Sequence, residues 1–101
     1  MAVVSITNDN IEELLNSGRT LFIDFYADWC GPCRMVAPIV DQIAEEKTDI
    51  AVGKINIDEQ PELAEKYGVM SIPTLIVIKD REVVNKGTGV QPKGKLLEWL
   101  K

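Results

Sequence analysis

The chain has 101 residues, of which 46% are hydrophobic and 27% charged, with two cysteines, no histidine and a formal net charge of -5. A chain of this length builds one domain with a modest core, so we expect a single domain over residues 1–101. Two cysteines without histidine cannot supply four ligands to a structural zinc ion, and a histidine base is excluded. The acidic balance argues against nucleic acid or an anionic membrane surface as the main partner.

The N-terminal residues lack the basic leader and apolar run of a signal peptide. No stretch of the sequence approaches the roughly 20 apolar residues that cross a bilayer. The sequence therefore predicts a cytoplasmic protein with neither a membrane nor a nucleic acid as partner. Because thiols are kept reduced in the cytoplasm, a close cysteine pair there is more often catalytic or metal-binding than structural.

Hydrophobic periodicity predicts the elements of the first part of the chain. Residues 3–6 form a short apolar strand, and a helix with an apolar stripe follows it. Asp9, with Glu12 three residues later, predicts a capping box at the start of that helix. Residues 21–27 are a nearly unbroken apolar run, interrupted only by Asp24, as expected of a central strand covered on both faces.

The longest predicted helix covers residues 32–47 and contains a proline that would kink it. The remaining predicted elements are a strand over 51–57, a short helix between Pro61 and Gly68, two strands over 74–79 and 82–86, and a helix over 92–100. The start of this βαβαβαββα order implies right-handed crossovers and parallel pairing, whereas the short connection near the end forces an antiparallel hairpin. We therefore expect an α/β fold with a mixed five-stranded sheet flanked by four helices.

The two cysteines lie in the loop between the central strand and the longest helix, in the run Trp29-Cys30-Gly31-Pro32-Cys33. In such sheets the functional crevice lies beyond the carboxyl ends of the parallel strands, and C-x-x-C in this context is typical of a redox pair. At the first turn of a helix, backbone N–H groups and the helix dipole favour the Cys30 thiolate, which is the form that attacks a disulfide. Cys33, one turn further on, would resolve the mixed disulfide intramolecularly.

The two residues between the cysteines suit this chemistry. Pro32 is compatible with a first helical turn, and Gly31 leaves room for the backbone of a partner to approach the Cys30 sulfur. A structural disulfide and half of a metal site shared between two chains are the alternative interpretations of the pair.

The segment 24–33 closely resembles the active-site segment of the thioredoxin family, and Ser71-Ile72-Pro73-Thr74 resembles its cis-proline loop. The resemblance covers essentially the whole chain, because the element order, the strand residues 54–58 and Gly89 also fall where that family has them. It implies a thioredoxin fold and reduction of protein disulfides through Cys30 and Cys33. The implied partners are disulfide-containing proteins and a thioredoxin reductase that recycles the chain. We expect a monomer, without cofactor or metal.

Asp24 is the candidate for proton transfer. An acid within an apolar strand is costly to bury as the anion, so its pKa is expected to be raised. Its match to the family's buried aspartate implies proton exchange with Cys33 through water, and an outward-facing strand carboxylate is the alternative. Lys54, on the adjacent strand of this fold, is the candidate charge partner of Asp24, with a solvated lysine as the alternative.

The resemblance also implies a substrate-binding surface. Ile72-Pro73 is expected to form a cis peptide bond beside the cysteines and to offer the Ile72 backbone to an extended substrate segment. On sequence alone, a trans proline that begins a strand is the ordinary interpretation. Trp29 is expected to border the contact surface and to form a hydrogen bond with Asp58. The full set of predicted substrate contacts is Trp29, Gly31, Pro32, Ile72, Pro73, Thr88, Gly89 and Val90.

Some residues depart from the family pattern. Asp80-Arg81 occupies the last hairpin where many members have Asn-Gly, and Tyr26 replaces the tryptophan of some members. Asp28 adds an acid before Trp29 that is expected to raise the pKa of Cys30.

Two rival functions remain as alternatives. One is a disulfide oxidase or isomerase on the same fold, and the other is a non-catalytic binding subunit or inter-chain metal-cluster-binding module.

Overall fold

Five strands form one mixed sheet in the computed structural model, which describes residues 3–101. The strands are β1 (Val4–Ser5), β2 (Leu21–Tyr26), β3 (Ala51–Asn56), β4 (Thr74–Lys79) and β5 (Glu82–Thr88). The helices are α1 (Ile11–Leu15), α2 (Gly31–Glu46), α3 (Pro61–Lys66) and α4 (Lys93–Trp99). The predicted fold class and element order are therefore confirmed. Residues 1–2 of the predicted domain lie outside the described residues.

The sheet places one end of β2 beside the start of β4 and the end of β5. The strand order is β1-β3-β2-β4-β5, in which β1 and β2 run parallel to β3, while β4 runs antiparallel to β2 and β5. Phe25 pairs with Thr74, and Thr74 pairs with Thr88. The loops that follow β2 and β5 and the loop that precedes β4 consequently meet at one edge of the sheet.

Apolar clusters cover both faces of the sheet. Because successive strand side chains alternate, β2 contributes Phe22 to one face and Ile23 and Phe25 to the other. The opposite face from Phe22 is covered by α1 and α3 through Ile11 and Leu63. By the same alternation, Asp24 lies on the Phe22 face. That face is covered by the apolar sides of α2 and α4, which include Val36, Val40, Ile43 and Leu96, and by Leu100, the C-cap residue of α4.

The ends of several elements differ from the predicted ones. The first strand is limited to Val4–Ser5, and the last strand continues to Thr88 because that residue pairs with Thr74. The predicted strands 21–27 and 51–57 each end one residue earlier, α2 begins at Gly31 and ends at Glu46, and α4 spans Lys93–Trp99. None of the helices described over residues 3–101 is long and apolar enough to cross a membrane.

The predicted capping box at Asp9 is wrong. The residue that precedes α1 is Asn10, and its side chain makes no hydrogen bond to the N–H groups of the helix. Asn10 instead accepts a hydrogen bond from the N–H of Thr7 (2.8 Å) and donates one to the carbonyl oxygen of Ser5 (2.9 Å). Its side chain therefore closes the loop between β1 and α1.

The β4–β5 hairpin turns through Asp80 and Arg81, which have φ values of 52° and 68°. A two-residue hairpin turn favours positive φ at both central residues, although this region is sterically costly for residues other than glycine. Arg81 donates hydrogen bonds to Asn16 Oδ1 (2.5 Å) and to Glu12 Oε1 (3.0 Å). The side chain therefore ties the turn to α1 and its C-terminal end.

Arg81→Ala is expected to lower the free energy of unfolding by about 1 kcal/mol, because alanine keeps the left-handed strain and loses both exposed contacts. Arg81→Gly loses the same contacts but removes the strain, so its net effect should be below about 0.5 kcal/mol. Urea unfolding of the two variants measures the difference. Equal destabilisation by alanine and glycine would show that the backbone conformation at this turn carries no cost.

Candidate redox site

The two cysteines lie where β2 leads into α2. Cys30 is the N-cap residue of α2, and its Sγ accepts a hydrogen bond from the N–H of Cys33 at 3.2 Å. The two sulfurs are joined in a disulfide, with the Cα atoms 5.3 Å apart. Pro32 lies in the first turn, as predicted. The Cys30 sulfur thus occupies the end of a helix at which unpaired N–H groups and the dipole favour a negative charge.

The cis-proline loop lies directly beside this sulfur. The Ile72-Pro73 peptide bond is cis, which confirms the prediction, and the carbonyl oxygen of Ile72 is 3.9 Å from Cys30 Sγ. The N–H of Gly89 donates to the carbonyl oxygen of Pro73 at 2.8 Å. Three chain segments that are distant in sequence therefore adjoin one another at the sheet edge.

Trp29 borders this edge with 66% of its surface exposed. Its Nε1–H donates to Asp58 Oδ2 at 2.8 Å, so the expected hydrogen bond is present. The N–H of Asp58 in turn donates to Asn56 Oδ1 at 2.9 Å. Sequence reasoning missed Asn56, although an asparagine two residues before a loop residue is a known signal for a side-chain-closed turn.

The structure brings the predicted substrate-binding residues to this one edge. Pro73 is buried and Ile72 and Gly89 are half-buried, whereas the others are exposed: Trp29, Gly31, Pro32, Thr88 and Val90. Ile72 also packs against the buried cluster that contains both cysteines. A partner that reaches Cys30 would therefore meet exposed side chains around a largely buried sulfur pair.

Asp24 is buried in the centre of the sheet, with only 5% of its surface exposed. Burial raises the pKa of its carboxyl group to about 7, against the lowering effect of the Lys54 charge and with a smaller raising effect from Asp41. Among the described residues, no group hydrogen-bonds its Oδ1. The expectation of a raised pKa is confirmed.

A cleft of about 230 Å³ connects Asp24 with the second cysteine. Its lining comes from β2, the loop after β2, β3 and the first half of α2, and consists of Asp24, Tyr26, Ala27, Asp28, Cys33, Arg34, Ala37 and Lys54. The space exceeds the roughly 30 Å³ that one water occupies in the liquid, and it is lined partly by polar groups. A water-mediated path between the carboxyl group and the Cys33 sulfur therefore has room.

Lys54 is the register partner of Asp24 on β3 and lines the same cleft, but within residues 3–101 it forms no ion pair with the Asp24 carboxyl group. Its Nζ lies over the ring of Tyr26, 5.7 Å from the centroid. Lys54 consequently influences the carboxyl group through space rather than by contact. Asp41, which sequence reasoning missed, follows Ala37 at helical spacing and so lies on the same side of α2.

These features define a thiol–disulfide oxidoreductase: one sulfur at the N-terminus of a helix, a second sulfur within one helical turn, and a backbone segment beside them. The family model Thioredoxin matches residues 2–101. A thioredoxin of Staphylococcus haemolyticus strain JCSC1435 is 50% identical, over 99% of this chain and 96% of that protein. A thioredoxin of Staphylococcus aureus strain N315 is 48% identical with the same coverage. The chain belongs to the thioredoxin family.

A solved structure supports the same assignment. A mutant thioredoxin from Halobacterium salinarum NRC-1 superposes with a TM-score of 0.91 at 37% identity, covering 98% of this chain and 88% of that chain. Family membership together with the close Cys30–Cys33 pair makes the chain a disulfide reductase. The family in general acts on disulfide substrates and is recycled by a reductase. The alternative of a non-catalytic or metal-bridging module is not favoured.

Asp24→Asn is expected to stabilise the protein at neutral and alkaline pH. The Asp24 pKa rises from 3.8 to about 7 on folding. The contribution of Asp24 to the free energy of unfolding is therefore most favourable below pH 3.8 and declines as the pH rises to about 7. A shift of this size corresponds to roughly 4 kcal/mol. Urea unfolding at pH 5 and pH 8 should show that the free energy of unfolding of wild type falls by about 3 kcal/mol over this interval. The Asp24→Asn variant should not show this decrease. Equal pH slopes for the two proteins would contradict the raised pKa.

Proposed function

We propose that the reduced chain transfers two electrons to a protein disulfide through a mixed disulfide on Cys30. The Cys30 thiolate attacks one substrate sulfur, the substrate S–S bond breaks, and the released substrate thiolate takes up a proton. Cys33 then attacks the Cys30 sulfur, the mixed disulfide breaks, and the second substrate thiol leaves. The chain ends as the Cys30–Cys33 disulfide. The observation that carries this proposal is the position of the pair across the first turn of α2.

Asp24 is proposed to accept the proton of Cys33 before the second step. Both groups line the same cleft, and a pKa of about 7 suits a base that operates near neutral pH. The proton travels through water because the cleft separates the two groups. The Lys54 charge favours the ionised carboxylate of Asp24 and thereby limits how far burial raises the pKa.

Substrate backbone is proposed to pair with the exposed edge at Ile72, in the manner of an added strand. Main-chain pairing provides affinity with little sequence specificity, which suits a reductase of many protein disulfides. Side-chain contacts come from the surrounding residues, namely Trp29, Gly31, Pro32, Pro73, Thr88, Gly89 and Val90. A thioredoxin reductase would use the same surface.

We further propose that the chain acts as a single-domain monomer in the cytoplasm.

Cys33→Ser is expected to trap a covalent adduct with a protein disulfide, because the first attack proceeds and the resolving thiol is absent. Mass spectrometry of the adduct after proteolysis should locate the linkage at Cys30. Cys30→Ser serves as the matched control and should give no stable adduct. A stable adduct through Cys33 in that control would reverse the proposed roles of the two sulfurs.

Asp24→Asn is expected to slow resolution of the mixed disulfide at pH 7 by about a hundredfold, the low end of what a general base contributes. In wild type the rate should rise with pH through about 7, because the carboxylate becomes available as the base. Stopped-flow reduction of a protein disulfide between about pH 5 and about pH 9 measures both effects. Asp49→Asn, an exposed acid in the loop before β3, is the matched control. An unchanged pH profile in the Asp24 variant would exclude the proposed base.

A further inference from the structure

The helix that precedes the cis-proline loop ends in a Schellman motif. Gly68 has a φ of 65°, and its N–H donates to the carbonyl oxygen of Glu65 at 3.0 Å. The N–H of Val69 donates to the carbonyl oxygen of Ala64 at 2.9 Å. These two hydrogen bonds satisfy carbonyl groups within the last turn of α3. The carbonyl group of Tyr67, the C-cap residue, has no partner within α3, and that of Gly68 lies just beyond the helix end.

Lys86, from the middle of β5, supplies that donor. Its Nζ donates to the carbonyl oxygen of Tyr67 at 2.9 Å and to that of Gly68 at 3.0 Å. A cation at this end of a helix also interacts favourably with the helix dipole. Lys86 therefore fixes the exit of the chain from α3, although the nearer of the two residues that it contacts lies 18 positions away in the sequence.

The same strand also holds the far end of the segment that leads to the cysteines. Gly89, which follows β5, donates its N–H to the carbonyl oxygen of Pro73 at 2.8 Å. Between the two attachment points Met70 is 95% exposed and Ser71 is exposed, whereas Val69 and Ile72 are half-buried and pack against the core. The Thr74 hydroxyl donates a hydrogen bond to the carbonyl oxygen of Ser71. Residues 69–72 are thus a short bridge that begins directly after the two carbonyl groups bonded by Lys86 and ends at the Ile72 carbonyl, 3.9 Å from Cys30 Sγ.

We propose that Lys86 is a positioning residue for the protein substrate. Without it, the start of the bridge would be held by fewer contacts, namely the Val69 N–H bond to Ala64 and the packing of Val69, and the Ile72 backbone would occupy a wider range of positions beside Cys30. An extended substrate that pairs with this backbone would then lose additional freedom on binding. A small disulfide that touches only the sulfurs would not. The inference rests on the proposed substrate pairing, and Lys86 itself touches neither sulfur.

Lys86→Met tests this inference because methionine keeps an unbranched apolar stem and removes both hydrogen bonds. With insulin as the protein disulfide, KM should rise by about threefold, the effect of losing one exposed charged contact, while kcat stays unchanged. With an aromatic small-molecule disulfide, kcat/KM should be unchanged. Lys86→Arg should return the insulin KM to the wild-type value. Lys95→Met, on α4, removes the same charge from an exposed helix position and should leave both substrates unaffected.

Amide hydrogen exchange provides a second measurement that does not depend on activity. Exchange at residues 70–72 should become about threefold faster in Lys86→Met and remain normal in Lys86→Arg and Lys95→Met. An unchanged insulin KM, or an equal loss with both substrates, would overturn the positioning role, as would unchanged exchange. If wild type itself reduced neither substrate, the proposed function would fail, and the exchange rates would still decide whether Lys86 orders the bridge.

Discussion

The redox site depends on the hydrogen bond from the Cys33 N–H to the Cys30 sulfur at the start of α2. It places one sulfur at the cap of the helix and the other inside its first turn, so the two can bond to each other. β2 is the central strand and is buried on both faces, so the point at which the chain leaves the sheet and enters α2 is fixed. The apolar side of α2 anchors the helix to the core, and the chemistry is left at its exposed end.

Asp24 shows how the same core both supports and limits the site. The face of β2 that carries Phe22 is packed by α2 and α4, and the carboxyl group takes its place on that face. Burial makes the ionised form costly, which lowers stability at neutral pH, yet it also brings the pKa to the range in which a proton can be exchanged with a thiol. The charge of Lys54 acts through space because its side chain lies over Tyr26.

The substrate edge is a product of strand direction. Because β4 runs antiparallel to β2, the loop before β4 arrives beside the loop after β2, and the end of β5 joins them. In this arrangement the Ile72 carbonyl faces Cys30. Lys86, in β5, and Gly89, the residue after β5, hold the two ends of this segment. The binding surface close to the sulfurs therefore depends on contacts from β5, an edge strand of the sheet, and from the residue that follows it.

The sequence by itself determined the element types, the strand-to-helix position of the cysteines and the raised pKa of Asp24, because periodicity and burial of a run of residues are local properties. Resemblance to a family supplied the cis bond at Pro73 and the Trp29–Asp58 contact. Only the tertiary structure decided which partner each polar side chain takes. Asn10 closes a loop where Asp9 was expected to cap a helix, and Lys86 caps a distant one. These choices depend on distances between segments that are far apart in sequence, and no local pattern encodes them.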